Sequence, residues 1–172
     1  MSTTPPKEII WYFSEYQPAY RQLLSFPRVR LVQGLPNLAE LRKGASEPKL
    51  IVLDDLMSDV KDSEIGQLFS KGVHHWGVSV VFIVQNIFYG GRTARVNAHY
   101  LALFKSPSDK LQVSTLARQM YPKQTKFFLE AFEEATSQPY TYLFVDMTQE
   151  CPEDLRLRTN IFPGELTVVY AP

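Results

Sequence analysis

Two adjacent carboxylates, Asp54 and Asp55, follow the apolar run Leu50-Ile51-Val52-Leu53. Two amides, Gln85 and Asn86, follow a second run, Val78-Ser79-Val80-Val81-Phe82-Ile83-Val84. An acid at the end of a buried strand can hold Mg²⁺, directly or through water, while the next acid polarises an attacking water. A neutral amide offers a donor to a phosphate oxygen and an acceptor to that water. Together the four side chains suit metal-assisted hydrolysis of a phosphoanhydride. They also have a plainer use, since an Asp pair can simply begin a loop and cap the following helix. No Gly in the 172 residues is followed by Lys, so the loop G-x-x-x-x-G-K-[ST], which cradles nucleotide phosphates, does not occur in them.

Other chemistry-bearing residues are fewer. Gly90-Gly91-Arg92 makes a turn bearing a cation, with Arg95 three residues on. These arginines either reach phosphates in a neighbouring subunit's site or decorate a surface loop. His74 and His75 are adjacent, but neighbouring residues of a loop or strand point apart and no Cys or carboxylate stands at ligand spacing, which argues against a metal site. The single Cys151 cannot form an internal disulfide. Phe127, Phe128 and Phe132 recur as helix core residues do and are not read as a base-stacking surface.

The elements that must position these groups follow from periodicity. Ile9-Ile10-Trp11-Tyr12-Phe13 and Val29-Arg30-Leu31-Val32 predict strands. The segment 37–48 reads as a short helix ending at Gly44 and then a loop into the Asp54-Asp55 strand, and a helix over 62–71 carries Ile65, Leu68 and Phe69, with Gly72 beyond it. The run from Val78 is almost unbroken and β-branched, as expected of a strand buried on both faces of a parallel sheet, and Tyr100-Leu101-Ala102-Leu103-Phe104 repeats that signature. Pro107-Ser108-Asp109 reads as the start of a helix with Val113, Leu116, Ala117 and Met120 on one face, stopped by Pro122. A second helix carries Phe128, Ala131, Phe132 and Ala135. A strand over 140–147 and an edge pair over 155–161 and 166–170 complete an α/β pattern with a mostly parallel sheet. In such sheets ligands gather at the carboxyl ends of the strands, where Asp54, Asp55, Gln85 and Asn86 fall.

Composition agrees with one domain: 45% apolar and 13% aromatic residues can build a buried core. The apolar runs are far shorter than the roughly 20 residues that cross a bilayer, and the polar start Met1-Ser2-Thr3-Thr4-Pro5-Pro6 does not resemble a secretory signal, so an intracellular setting is expected. A formal net charge of zero conceals asymmetry. From 92 to 126 the charges are Arg92, Arg95, Lys105, Lys110, Arg118, Lys123 and Lys126 against Asp109, whereas 127–155 holds acids and neither Lys nor Arg. A basic stretch of this kind faces nucleic acid, an acidic partner, or simply solvent.

Read in order, several segments resemble one family. They are Leu50-Ile51-Val52-Leu53-Asp54-Asp55-Leu56-Met57, Phe69-Ser70-Lys71-Gly72-Val73-His74-His75, and Val81-Phe82-Ile83-Val84-Gln85-Asn86. Asn97-Ala98-His99-Tyr100, Leu116-Ala117-Arg118-Gln119-Met120-Tyr121-Pro122 and Arg156-Leu157-Arg158-Thr159-Asn160-Ile161-Phe162-Pro163-Gly164-Glu165 continue the series. They are similar to the packaging ATPases of Polinton (Maverick) elements and related large DNA viruses, within the FtsK–HerA superfamily of P-loop NTPases. The likeness runs from about Trp11 to Glu165.

The resemblance implies a P-loop NTPase-type sheet of the ASCE, or RecA-like, kind flanked by helices. It implies a ring of subunits that uses ATP and Mg²⁺ to move double-stranded DNA into a capsid, in the cytoplasm or nucleus of a host or in the virion. By the same resemblance Asp54 matches the Walker B acid associated with Mg²⁺, Asp55 stands where a catalytic Glu is usual, and Gln85 matches the polar sensor, with Asn86 beside it. Arg92 and Arg95 are the nearest arginine-finger candidates. The chain departs from the family in its Walker A region. Only nine residues precede Ile10, whereas a phosphate loop with its strand and helix takes roughly 30, so that strand and helix are expected to be missing. Without them no stable binding of ATP by this chain alone is expected. The expectation is thus a single partial ATPase domain over 1–172 with residues 1–8 flexible. The alternative is a non-enzymatic, degenerate module that binds DNA or a partner protein through the basic region from Arg92 to Lys126.

Overall fold

A computed structural model describes residues 5–43, 47–56, 67–69, 76–89 and 91–172, giving the backbone alone at 42, 43 and 91–93. The chain divides into two compact units, Met1–Asn97 and Ala98–Pro172.

The first unit is built on a four-stranded parallel sheet with strand order β2-β1-β3-β4. Its strands are β1 (Glu8–Phe13), β2 (Val29–Gln33), β3 (Lys49–Asp54) and β4 (Val78–Ile83), and its helices are α1 (Tyr20–Leu23), α2 (Leu38–Lys43) and α3 (Gly91–Asn97). α2 begins where Asn37 Oδ1 accepts the amides of Ala39 at 3.0 Å and Glu40 at 3.4 Å, satisfying donors that a helix start leaves open. Successive strand residues face opposite sides of the sheet. Ile10, Tyr12, Ile51, Leu53 and Val78 therefore share one side, where they join Leu41 of α2, Leu56, Leu68, Trp76 and Ala94 of α3 in a single core. Ile51 and Leu53 are completely buried, each contributing on the order of 2 kcal/mol of hydrophobic stabilisation.

The opposite side carries Trp11 and Phe13 from β1 and, in register with them, Val52 and Asp54 from β3. β4 alternates rather than being buried on both faces: Val78 is buried, but Val81 and Ile83 are 43% and 42% exposed. It is the terminal strand of its sheet, which is why an apolar run does not amount to two-sided burial here. The helix expected over 62–71 lies mostly outside the described residues, as does the His74-His75 pair.

The second unit corrects the expectation of a mostly parallel arrangement throughout. Its strands β5 (Tyr100–Phe104), β6 (Tyr142–Asp146), β7 (Leu157–Thr159) and β8 (Val168–Tyr170) form an antiparallel sheet in the order β5-β6-β7-β8. Between β5 and β6 run two helices, α4 (Leu111–Met120) and α5 (Thr125–Ala135). One crossover helix returns the chain so that the next strand is parallel; two helices in succession reverse it once more and make the next strand antiparallel. α4 begins beside Asp109, whose Oδ1 accepts the Gln112 amide at 3.3 Å and whose Oδ2 accepts Gln112 Nε2 at 2.7 Å. Leu103, Leu143, Val145 and Leu157 are buried with Leu116, Ala117, Phe128 and Ala131 of the two helices. Tyr100, expected in a two-sided buried strand, instead stacks on Phe144 at 5.4 Å on the other face and is 39% exposed.

Candidate functional site

The carboxyl edge of the parallel sheet is where the candidate residues collect. β3 and β4 are hydrogen-bonded neighbours running parallel, with Asp54 opposite Ile83. Asp54 thus closes β3 at the level where β4 ends, and Gln85 and Asn86 follow within three residues of Ile83. The backbone topology makes β3 and β4 neighbours and so brings the four predicted residues to one edge.

Their individual settings differ. Asp54 is half-buried, and its Oδ2 accepts two hydrogen bonds, from Tyr20 Oη at 2.9 Å and from Trp11 Nε1 at 3.2 Å. Asp55 is exposed and takes a left-handed backbone, with φ at +52°, which ends the strand sharply; Asp tolerates this conformation better than most residues. Gln85 is exposed at the same edge. Asn86 serves its own loop: its Oδ1 accepts the Phe88 amide at 2.8 Å and its carbonyl accepts the Tyr89 amide at 3.0 Å. The Asn86 acceptor is thereby engaged in shaping the loop that follows β4.

The arginines follow a similar division. Arg95 of α3 lies with Cζ 4.8 Å from the centre of the Phe88 ring, a cation–π contact within its own unit. Arg92 is on the same helix, three residues earlier in the chain.

Sequence reasoning missed the aromatic residues around Asp54. Trp11 and Phe13 come from β1, Tyr20 from α1 and Tyr16 from the segment between them. The Tyr20 ring stands 5.1 Å from Phe13, 5.8 Å from Tyr16 and 6.0 Å from Trp11. The missed signal was the polar handle of two buried-type aromatics: an indole N–H and a phenol O–H need an acceptor, and β3 offers one at its end. Burial, and then the carboxylate to which it donates, push the Tyr20 hydroxyl up to about 12, so it stays a donor at any ordinary pH.

No group of three or more His, Cys, Asp or Glu side chains able to hold a metal ion occurs among the described residues. The donor set at the edge, one part-free carboxylate followed by an exposed one, is too small to hold a cation tightly on its own. It does fit Mg²⁺, which keeps several waters and takes one or two carboxylates together with substrate phosphates.

Elsewhere, the basic stretch is solvent-facing in the second unit: Lys105, Lys110, Arg118, Lys123 and Lys126 are all exposed, with Lys126 3.4 Å from Glu130. The acids that follow are partly neutralised by the arginines of β7 and the segment before it, Arg156 with Glu153 at 2.7 Å and Arg158 with Asp146 at 2.6 Å. No helix among the described residues is long and apolar enough to cross a membrane. Comparison with protein-family models, curated proteins and solved structures finds no match for this chain.

Proposed function

We propose that these residues carry the metal- and water-handling half of a DNA-packaging ATPase of the FtsK–HerA type, with the phosphate-cradling loop supplied from outside the 172 residues. The observation that carries this reading is the pairing of β3 with β4, parallel and in register, which delivers Asp54-Asp55 and Gln85 to one edge of the sheet. In this reading the free oxygen of Asp54 takes a water of the Mg²⁺ shell, and Asp55, exposed beside it, orients the attacking water. Gln85 donates to the terminal phosphate from the next strand. Mg²⁺, when bound, neutralises charge between the phosphates. Arg92 and Arg95 act on a neighbouring subunit of a ring, and double-stranded DNA and a capsid are the partners.

The test is ATP hydrolysis in the presence of Mg²⁺, with and without duplex DNA. The 172 residues alone are expected to give no turnover, and a complex that adds a phosphate loop is expected to hydrolyse ATP in a manner abolished by Asp54→Ala. Unchanged hydrolysis in that variant would remove the reading. Turnover by the chain alone that Asp54→Ala abolishes would instead overturn the need for an added loop.

A further inference from the structure

Two neutral donors converge on a single oxygen of Asp54. Tyr20 Oη lies 2.9 Å and Trp11 Nε1 3.2 Å from Oδ2, and no donor among the described residues is recorded on Oδ1. Both donors are held by their surroundings. Tyr20 is 3% exposed and packed against Trp11, Phe13 and Tyr16, and Trp11 is fixed in register between β2 and β3. We propose that Trp11 and Tyr20 are positioning residues that lock Oδ2 of Asp54 and leave Oδ1 as the one oxygen it presents to a divalent cation or its water.

The inference rests on the reading of Asp54 as the metal-associated acid and deepens it. A carboxylate tied through one oxygen cannot rotate to chelate without giving up both hydrogen bonds, and bonds to a charged acceptor are stronger than those between neutral groups. Neither donor carries a positive charge, so the clamp fixes the direction of Asp54 without cancelling the charge that attracts a cation. A bond that merely fastened α1 to the sheet could end on either oxygen; two bonds on the same oxygen, from different elements, keep the other clear.

The test uses the chain alone with MnCl₂ as the probe, read as paramagnetic broadening of the Asp54 and Asp55 backbone amide resonances. Broadening in the wild type that disappears in Asp54→Asn is expected. In Tyr20→Phe, with its fold verified from the remaining resonances, the same broadening should require about tenfold more Mn²⁺, the lower end of the usual cost of losing a group that orients a ligand. Trp11→Phe should move the dependence in the same direction by less, because its bond is longer, and it carries the test if Tyr20→Phe does not fold. An unchanged Mn²⁺ dependence in both folded variants would overturn the clamp while leaving Asp54 as a metal ligand. Absence of broadening in the wild type, or its persistence in Asp54→Asn, would remove the metal role of Asp54 and the proposal with it.

Discussion

Asp54 and Asp146 each close a strand, one in the parallel sheet and one in the antiparallel sheet, yet they are held in opposite ways. Asp146 is 8% exposed and fully engaged. Its Oδ1 accepts the amide and hydroxyl of Thr148 at 3.1 and 2.6 Å, and its Oδ2 meets the Arg158 guanidinium at 2.6 Å. Arg156 completes that corner by donating to the carbonyls of Asp146, Thr148 and Cys151. Asp54 meets only neutral donors, on one oxygen. At Asp146 the charge is cancelled by the chain itself and builds a corner; at Asp54 no cationic side chain among the described residues pairs with it. Two carboxylates that both end strands are therefore set apart by what holds them, not by where they stand.

The comparison is broken most directly at Asp146. Asp146→Ala leaves the Arg158 guanidinium without its partner, and chemical denaturation should record a loss of about 3 kcal/mol, the usual cost of breaking a largely buried pair from one side. Asp54→Ala should cost clearly less, because the groups it abandons are neutral. Equal losses would make Asp54 another structural corner and remove the contrast. Acid should act on Asp146 in the same sense. Burial raises its carboxyl, but the Thr148 hydroxyl and amide and the Arg158 charge outweigh this and hold it below 3.8. Its contribution is therefore complete above the unfolded value and is lost as pH falls through the lower folded one. Stability measured from neutral pH down through that range should show an acid limb that Asp146→Asn flattens; an unaltered limb would mean that other carboxyls dominate it.

How far the sequence foretold this contrast depends on which interaction decided each feature. The parallel unit was legible because β-branched runs and short-range spacing define its strands, and because Asp54-Asp55 and Gln85-Asn86 end two runs that prove to be neighbours. The antiparallel pairing of β5 with β6 was not, since strand direction follows from the two-helix connection and the run Tyr100-Leu101-Ala102-Leu103-Phe104 looks the same in either sheet. The clamp on Asp54 was also hidden: Tyr20 and Trp11 lie 34 and 43 residues away from it, a distance across which periodicity says nothing. Likewise the window 127–155 holds acids and neither Lys nor Arg, yet Asp146 and Glu153 meet arginines just beyond it.

Ion pairing sharpens the comparison at its weakest point. Arg30 Nε and Glu8 Oε1 stand 2.9 Å apart on neighbouring strands of the parallel sheet, close to the 2.6 Å of Arg158 with Asp146. Their side chains are 56% and 35% exposed, against 29% and 12% for the second pair. At similar separation the exposed pair works in a higher effective dielectric and must also hold two mobile side chains, so Arg30→Ala should change stability by only about 0.5 kcal/mol. High salt should erase that small effect and leave the larger part of the Asp146→Ala loss, because screening reaches exposed charges first. If Arg30→Ala cost as much as Asp146→Ala at both salt concentrations, burial would not be what separates the two units, and charge in the parallel sheet would be as structural as in the antiparallel one.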